Sequence, residues 1–328
     1  MDKIYPQKLR PGDQIRVIAP SRSLSIISHE TREIASKNFA DIGLELTFGK
    51  HVEEVDEFFS SSVSSRLEDF HDAFLDKNVK AIITAIGGFN ANELLSLIDW
   101  QIVRENPKIF CGYSDITILN NAIYKKTGLV NYYGPHYSSF GQKQIFDYSV
   151  DYFKKCLFSE KDINILASEQ WNDDNWWLDQ DKRENIDNEG LLAIFEGEAD
   201  GIILGGNLDT FGLLRGTDYF PDLKGSIIFI EDDDKTDDVS FVRDLQALIE
   251  QPEFVNVKGL VVGRFQKKSN INNDKLRRII INKPALKGIP VIINADFGHT
   301  EPRVTLPIGA EVHISSRRGA SKIIIGKH

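Results

Sequence analysis

The fold class follows from residues 79–128, which read VKAIITAIGGFNANELLSLIDWQIVRENPKIFCGYSDITILNNAIYKKTG. The segment opens with an apolar strand that ends in two glycines, and the pattern at 90–100 is helical. A second apolar strand begins near Pro107, ends in a turn at 112–115 and leads into another helix. Strands that alternate with helices in this way are typical of a mostly parallel sheet with helices on both faces.

The same alternation extends towards the N-terminus. Strand, helix, strand and helix patterns occupy residues 14–21, 28–44, 44–50 and 64–78 in that order. We therefore predict an N-terminal α/β domain of the flavodoxin-like or Rossmann-like kind over residues 1–160. Ligands of such sheets bind beyond the carboxyl ends of the strands, where the loops at 20–21, 87–88 and 112–114 lie.

The composition changes between Phe158 and Asn188, where a polar, acidic and irregular segment holds three of the four tryptophans. Such a segment is typical of a linker or a flap, and we place it at residues 161–190. Apolar strand patterns then return at 199–207, 225–234, 257–265, 289–299, 311–316 and 321–327. Helical patterns separate several of them, so we predict a second α/β domain over residues 191–328.

Composition and charge exclude several classes of protein. A formal net charge of −10 over 328 residues argues against a broad nucleic-acid surface, which needs a basic footprint. The two cysteines, Cys111 and Cys156, offer neither a disulfide framework nor a metal-binding spacing, so a reduced, cytoplasmic setting is expected. The N-terminal segment lacks the pattern of a signal peptide, and no apolar run predicts a transmembrane helix.

Ser114 is the candidate nucleophile, because it stands where a strand turns into a helix. A nucleophile elbow is usually spelled G-x-S-x-G, and here Gly112 is present while Ile116 replaces the second glycine. A simpler interpretation is that Ser114 or Asp115 caps the N-terminus of the following helix. The local pattern leaves both interpretations open.

Two further groups stand at strand ends and could serve such a nucleophile. Glu231 ends an apolar strand, and a carboxylate there can orient a histidine. His299 follows another apolar strand, in a loop that suits a general base, and His136 could line a pocket. A lone histidine is more often a surface or core residue, and we interpret the neighbouring acids 232–234 and 237–238 as a solvated loop.

Five motifs in order give the sequence a family resemblance. They are GYSDIT at 112–117, GGNL at 205–208, IIFIED at 227–232, FGHTEP at 297–302 and TLPIGA at 305–310. Together they resemble the LD-carboxypeptidase family of serine peptidases, which also includes the microcin C self-immunity peptidases. The resemblance implies a catalytic triad in which Ser114 is the nucleophile, His299 the base and Glu231 the acid that orients the base.

The resemblance also implies how the site is completed. The oxyanion hole would consist of the backbone N–H groups of Asp115 and of a glycine after the third strand, for which we name Gly88. The C-terminal domain would have a distorted β-barrel character, and the triad would lie between the two domains. Family members are often homodimers and use neither a metal nor an organic cofactor.

Two substrates fit this family. LD-carboxypeptidases cleave the amide before a D-amino acid in cell-wall peptides, and the immunity peptidases cleave the amide that joins an aspartate to a modified adenylate. The segments at 87–95, 132–141 and 169–184 are more similar to the immunity branch. We therefore expect Trp176 or Trp177, rather than Trp171, to stack on a nucleobase, unless these rings only pin their loop.

Asn90 and Tyr113 lie next to the glycines and the serine, and we expect them to contact the substrate as well. The leading hypothesis is thus a serine amidohydrolase that acts on a small peptide or a peptidyl-nucleotide. A murein tetrapeptide LD-carboxypeptidase is the first alternative. A non-catalytic ligand-binding protein on the same scaffold is the alternative from another class.

Overall fold

The computed structural model describes residues 2–328, which form two large sheets and a short two-stranded hairpin. The strands are β1 Gln14–Ile18, β2 Glu45–Phe48, β3 Val79–Thr84, β4 Ile109–Gly112, β5 Asn131–Tyr133, β6 Ile163–Ile165, β7 Gln170–Trp171, β8 Ile186–Asp187, β9 Leu192–Phe195, β10 Gly197–Asn207, β11 Ser226–Glu231, β12 Gly259–Gly263, β13 Val291–Ala295, β14 Leu306–Ile308, β15 Glu311–Ser316 and β16 Lys322–Ile325. The helices are α1 His29–Ile42, α2 Val63–Leu75, α3 Trp100–Glu105, α4 Thr117–Thr127, α5 Asp147–Phe158, α6 Leu208–Gly212, α7 Asp238–Ile249 and α8 Asn273–Ile281.

The first sheet has the strand order β14-β5-β4-β3-β1-β2. The five strands β1 to β5 pair in parallel, and only β14 joins antiparallel. All side chains of β4, and all of β3 except Lys80, are buried. Both faces of these strands are therefore covered, as expected for parallel strands flanked by helices. This confirms the α/β fold class predicted from residues 79–128.

The second sheet has the order β6-β16-β15-β10-β11-β12-β13-β9. Strands β10 to β13 pair in parallel and form its buried centre, and the flanking strands pair antiparallel. Among residues 2–328, no pairing joins the edge strands β6 and β9. The barrel character expected for this half therefore does not extend to a closed barrel.

Strand β14 connects the two halves of the chain. It belongs to the C-terminal half in sequence, yet it pairs with β5 through Leu306–Tyr133 and Ile308–Asn131. The segment from His299 to β14 thus crosses from the second sheet to the first. The domain boundaries at 160 and 190 stay a prediction, and any division of the chain must account for this crossing strand.

One predicted helix is wrong. The pattern at 90–100 forms a short 3-10 turn, Ala91–Leu94, and the α-helix begins only at Trp100. The carboxylate of Asp99 accepts a hydrogen bond from the backbone N–H of Gln101 and so caps a helix that starts after it. No helix in residues 2–328 has the length and the apolar character needed to cross a bilayer.

Candidate active site

Ser114 lies on a strained turn between β4 and α4. Its φ is +60°, a left-handed conformation that costs energy in any residue with a Cβ. Gly112 is required before it, since a Cβ there would lie 2.3 Å from the Thr84 Oγ1 atom. The chain thus builds a nucleophile elbow although Ile116 stands in place of the second glycine. Neither Ser114 nor Asp115 supplies a side-chain cap to α4.

The three residues predicted as a triad form a continuous chain of hydrogen bonds. Ser114 Oγ lies 3.0 Å from His299 Nε2, and His299 Nδ1 lies 2.7 Å from Glu231 Oε2. Ser114 follows β4, Glu231 ends β11 and His299 follows β13, so all three stand at carboxyl ends of parallel strands. Gly298 is required beside them, because a Cβ there would lie 2.3 Å from Glu231 Oε2.

Burial and the interaction between His299 and Glu231 together determine the pKa of each group. Burial alone would lower the pKa of His299, but the charge and the hydrogen bond of Glu231 outweigh it, and the pKa is raised. Burial alone would raise the pKa of Glu231, but His299 and Tyr133 bring it below its ordinary value. The lowered pKa favours an ionised Glu231, which can accept a hydrogen bond from Nδ1–H of His299 and would then leave Nε2 facing Ser114 Oγ as an acceptor.

Tyr133 is a member of this arrangement that the sequence did not reveal. Its hydroxyl donates to Glu231 Oε1 over 2.5 Å and lies 3.4 Å from the backbone nitrogen of Ser114. The residue is buried in β5, and no local motif marks it. Tyr133 thus links the orienting acid to the turn that carries the serine.

The glycine loop after β3 faces the serine through Gly87. A Cβ on Gly87 would lie 3.2 Å from Ser114 Oγ, whereas a Cβ on Gly88 would meet the Ser21 hydroxyl. Both glycines line the same cavity as Ser114. Gly88 stays a prediction for the oxyanion hole, and Gly87 becomes the candidate closer to the serine. The Asp115 carboxylate accepts hydrogen bonds from Ser21 Oγ at 2.6 Å and Ala91 N at 2.9 Å, which ties this loop to the elbow.

A cavity of about 480 Å³ opens over the serine. Its walls include Tyr113, His136, Trp176, Trp177, Asp233, Asp234, Lys235, Glu301 and Arg303. Trp177 is 58% exposed and Trp176 only 9% exposed, so the first offers a free ring face. Trp171 lies elsewhere, with the Arg264 guanidinium 5.0 Å above its ring. The cavity therefore brings together Tyr113 and the two expected tryptophans.

Asn90 does not belong to this wall. Its side-chain amide donates to Ser60 Oγ at 3.1 Å, and its carbonyl oxygen lies 3.4 Å from Ser21 Oγ. Through these contacts Asn90 anchors the glycine loop to two buried serines. Asn90 is absent from the residues of 2–328 that line the cavity. Contact between Asn90 and a substrate stays a prediction that this placement does not support.

The acidic loop after Glu231 is only partly solvated. Asp232 is 1% exposed and accepts a hydrogen bond from Asn207 Nδ2 at 3.0 Å, so the interpretation of this residue as solvated is wrong. Asp233 and Asp234 are half-buried at the cavity. Within residues 2–328, no cluster of three or more His, Cys, Asp or Glu side chains is arranged to hold a metal ion.

His136 and Arg303 are further polar residues of the cavity. The His136 Nδ1 atom lies 2.6 Å from Thr84 Oγ1, and burial holds the pKa of this histidine well below its ordinary value. Arg303 pairs with Glu301 at 2.5 Å, and its guanidinium lies 4.2 Å above the Tyr113 ring. Position 136 was expected to line a pocket; nothing in the sequence singled out position 303.

Comparison with known proteins gives matches to two family models, one in each half of the chain. Residues 15–134 match the LD-carboxypeptidase N-terminal domain, and residues 200–314 match the LD-carboxypeptidase C-terminal domain. "Putative carboxypeptidase YocD" of Bacillus subtilis is 47% identical over 99% of this chain and 100% of its own. The microcin C7 self-immunity protein MccF of Escherichia coli is 31% identical over 83% and 81%. A probable murein peptide carboxypeptidase of Bacillus subtilis is 28% identical over 98% and 94%.

Solved structures give the same result. An MccF-like protein from Bacillus anthracis superimposes with a TM-score of 0.97 at 51% identity, over 99% of this chain and 100% of its own. MccF in complex with aspartyl sulfamoyl adenosine superimposes with a TM-score of 0.88 at 27% identity, over 99% of both chains. These matches confirm the resemblance and go against the alternative of a non-catalytic scaffold. The chain belongs to the LD-carboxypeptidase family of serine peptidases.

Proposed function

We propose that this protein is a serine amidohydrolase of the microcin C immunity type, which cleaves an amide between an acidic amino acid and a nucleotide. The observation that carries the proposal is the hydrogen-bonded chain Ser114–His299–Glu231 on a strained turn that faces the cavity. A serine hydroxyl is a weak nucleophile by itself, and this arrangement supplies the base that activates it.

The geometry supports the following course of reaction. Ser114 Oγ attacks the amide carbonyl carbon while His299 Nε2 takes its proton, and Glu231 stabilises the imidazolium that forms. Backbone N–H groups of Asp115 and of the glycine loop donate to the developing oxyanion. His299 then returns the proton to the leaving nitrogen, and water hydrolyses the acyl-enzyme by the same steps in reverse.

The aromatic wall of the cavity favours a nucleotide-bearing substrate. Trp177 presents an exposed ring at the cavity, and a nucleobase can stack on such a face whatever its identity. The MccF structure with aspartyl sulfamoyl adenosine, from a related chain, is consistent with this choice. The second candidate is cleavage of a murein peptide before its terminal D-amino acid, favoured by the similarity to the probable murein peptide carboxypeptidase.

The two candidates separate in one assay. Purified protein is incubated with an aspartyl-adenylate amide analogue and, separately, with a tetrapeptide that ends in an L-D amide. Release of the nucleotide amine supports the first candidate, and release of the D-amino acid alone supports the second. The Ser114→Ala variant should lose at least about 10³-fold in turnover on the accepted substrate.

A matched control keeps that test specific. Ser139 is a buried serine in the 3-10 turn Tyr137–Gly141, and it is not among the residues of 2–328 that line the cavity. The Ser139→Ala variant should turn over its substrate like the parent protein. Full activity of Ser114→Ala would refute the assignment of the nucleophile.

A further inference from the structure

We propose that Arg303 binds a carboxylate of the substrate next to the scissile amide and so determines specificity. The inference rests on the proposed function, because it assigns a role within the same cavity. Arg303 is not part of the chain Ser114–His299–Glu231, so its role must be argued from its own contacts.

The Arg303 guanidinium is buried with spare hydrogen-bond donors. The residue is 5% exposed, and its Nη2 donates to Glu301 over 2.5 Å. Its Nε and Nη1 groups are buried and have no hydrogen-bond partner among residues 2–328. A buried N–H group without a partner costs about 1–3 kcal/mol, so such groups call for an explanation. A bound acceptor would remove that cost.

The position of Arg303 links it to the reaction. It lines the cavity, and its Cζ atom lies 4.2 Å above the ring of Tyr113, the residue before the nucleophile. The His299 ring packs against the same tyrosine, with ring centres 5.2 Å apart. The positive charge of Arg303 contributes to the lowered pKa of His136 and partly offsets the raised pKa of His299. A ligand group bound by Arg303 would therefore lie in the same cavity as the carbon that Ser114 attacks, on the side of Tyr113.

Glu301 does not saturate this arginine. Its Oε1 also accepts a hydrogen bond from Gln142 at 3.0 Å, and the amide oxygen of Gln142 accepts one from Arg183 at 3.0 Å. Glu301 thus lies between two arginines, and its negative charge stabilises the positive charge of both. Asp174 lies 4.0 Å from Arg183, so the two arginines and the two acids balance in charge. The unpartnered donors of Arg303, rather than a net positive charge, are what an anion would meet here.

Two of the acids that line the cavity are already paired with lysines. Asp173 contacts Lys267, with 3.5 Å between the charged groups, and Asp234 contacts Lys268 at 2.9 Å. Arg303 lies deeper, where the low dielectric strengthens an ion pair. An anionic group that reaches this depth would find unpartnered donors at Arg303, whereas Lys235 offers a cation nearer the surface.

A carboxylate is the anion that both candidate reactions provide. An aspartyl substrate carries one on the side chain of its acyl residue, and a peptide substrate carries one on its leaving D-amino acid. In either case the group is separated from the scissile carbon by only a few bonds. Arginine suits it, because the planar guanidinium donates two hydrogen bonds to a carboxylate in fixed geometry.

The test measures binding in the Ser114→Ala background, so that no ligand is cleaved. Four ligands are titrated by calorimetry: aspartyl and asparaginyl sulfamoyl adenosine, and an L-D tetrapeptide with either a free or an amidated C-terminus. With Arg303 present, the charged member of one pair should bind about 10- to 100-fold tighter, as expected for a hydrogen bond to a charged group. The pair that shows the difference identifies which carboxylate is bound.

Variants of the arginine complete the test. Arg303→Lys keeps the positive charge but removes the planar guanidinium with its two parallel donors. It should reduce the ratio of affinities between the charged and the neutral ligand of the pair. Glu301→Gln/Arg303→Met removes both charges together, which avoids leaving a buried Glu301 uncompensated, and should bring the ratio near one. Arg264 is the matched control: it is equally buried, pairs with Asp296 at 2.6 Å and has an unpartnered Nη1 within residues 2–328, but it lies outside the cavity. Arg264→Lys should leave the ratio unchanged.

Two results would overturn the inference. One is that, with Arg303 present, the charged and the neutral ligand of each pair bind equally tightly, or that none of the four ligands binds. The other is a ratio that Glu301→Gln/Arg303→Met leaves intact. Failure of the proposed function looks different: the protein with its native Ser114 would cleave neither ligand class, whereas the binding ratio would still report on Arg303.

Discussion

Ser114 combines the hydroxyl of the proposed nucleophile with a left-handed backbone, and two substitutions separate these properties. Ser114→Ala and Ser114→Gly both remove the hydroxyl and should both abolish hydrolysis. Only glycine relieves the φ of +60°, so Ser114→Gly should be more stable to urea than Ser114→Ala by about 0.5–1 kcal/mol. Equal stability, or a more stable alanine variant, would show that the turn is not strained.

The acid limb of the pH profile reports on His299. The base must be neutral to accept the serine proton, so kcat/KM falls as the pH drops through the pKa of His299. Because that pKa is raised above 6.5, the limb should lie above that value. Glu231→Gln removes the charge that raises it, so the limb should move to lower pH while the maximal rate falls by about 10³-fold or more.

The control for this profile is a second histidine pair. His313 lies 2.9 Å from Asp200 at the surface, away from the cavity. Asp200→Asn should leave the acid limb in place. If Glu231→Gln left the limb in place as well, Glu231 would not be the acid that acts on His299.

For single residues, the sequence could identify the members of the proposed triad but not the residues that contact them. Glu231 and His299 stand at strand ends within specific motifs, which is what made them predictable. Tyr133 contacts an acid 98 positions away, and the partners of Arg303 are fixed by packing. A polar residue inside an apolar strand or an irregular loop gives no local signal of a contact made only in the folded chain.

Among the elements, the tryptophan loop between β7 and β8 offers the clearest prediction. Trp177→Ala removes an exposed ring from the cavity wall, so the fold should be unaffected. If a nucleobase stacks there, KM for the nucleotide substrate should rise about 10- to 100-fold with little change in kcat, since stacking contributes about 1–3 kcal/mol per base. Steady-state kinetics of purified variants measure this.

Trp171 ends strand β7, just before this loop, and serves as the comparison. It lies on Arg264 outside the cavity, so Trp171→Phe should leave KM unchanged. An unchanged KM for Trp177→Ala would favour the alternative that these rings only pin the loop.

Elements with long apolar or periodic patterns could be predicted, and those governed by local capping could not. Strands β3 and β4 are almost fully buried, and their apolar runs marked them correctly. The helix expected at 90–100 carried suitable residue types, but the side chain of Asp99 starts the helix at Trp100 instead. A single hydrogen bond, which the backbone N–H of Gln101 donates to the Asp99 carboxylate, thus marks this element boundary.

For the whole molecule, the crossing strand predicts that the N-terminal half does not fold alone. Leu306 and Ile308 of β14 are buried against β5, and a fragment of residues 1–160 would expose that edge. We expect this fragment to lack a cooperative urea transition, whereas the full chain shows one. Circular dichroism of both proteins measures it. A cooperative transition in the fragment would support the boundary at 160 as a true domain limit.

The homodimer and the cytoplasmic setting stay predictions at this scale. Sedimentation equilibrium over a range of protein concentrations tests the first. No sequence pattern could have placed β14 in the first sheet, because its pairing with β5 depends on how two distant segments meet. The chain order of the elements was predictable, but this exchange between the sheets was not.

His299 lies on the segment that runs from β13 in one sheet to β14 in the other, so this histidine is held at both ends. A hinge motion that separated the sheets would carry the histidine away from Ser114 and break the hydrogen bond between them. Entry and release of substrate should therefore leave the two sheets in contact. The segment that joins the sheets thus also sets the spacing between the serine and the histidine, so a change in how the sheets pack would be felt first in that spacing.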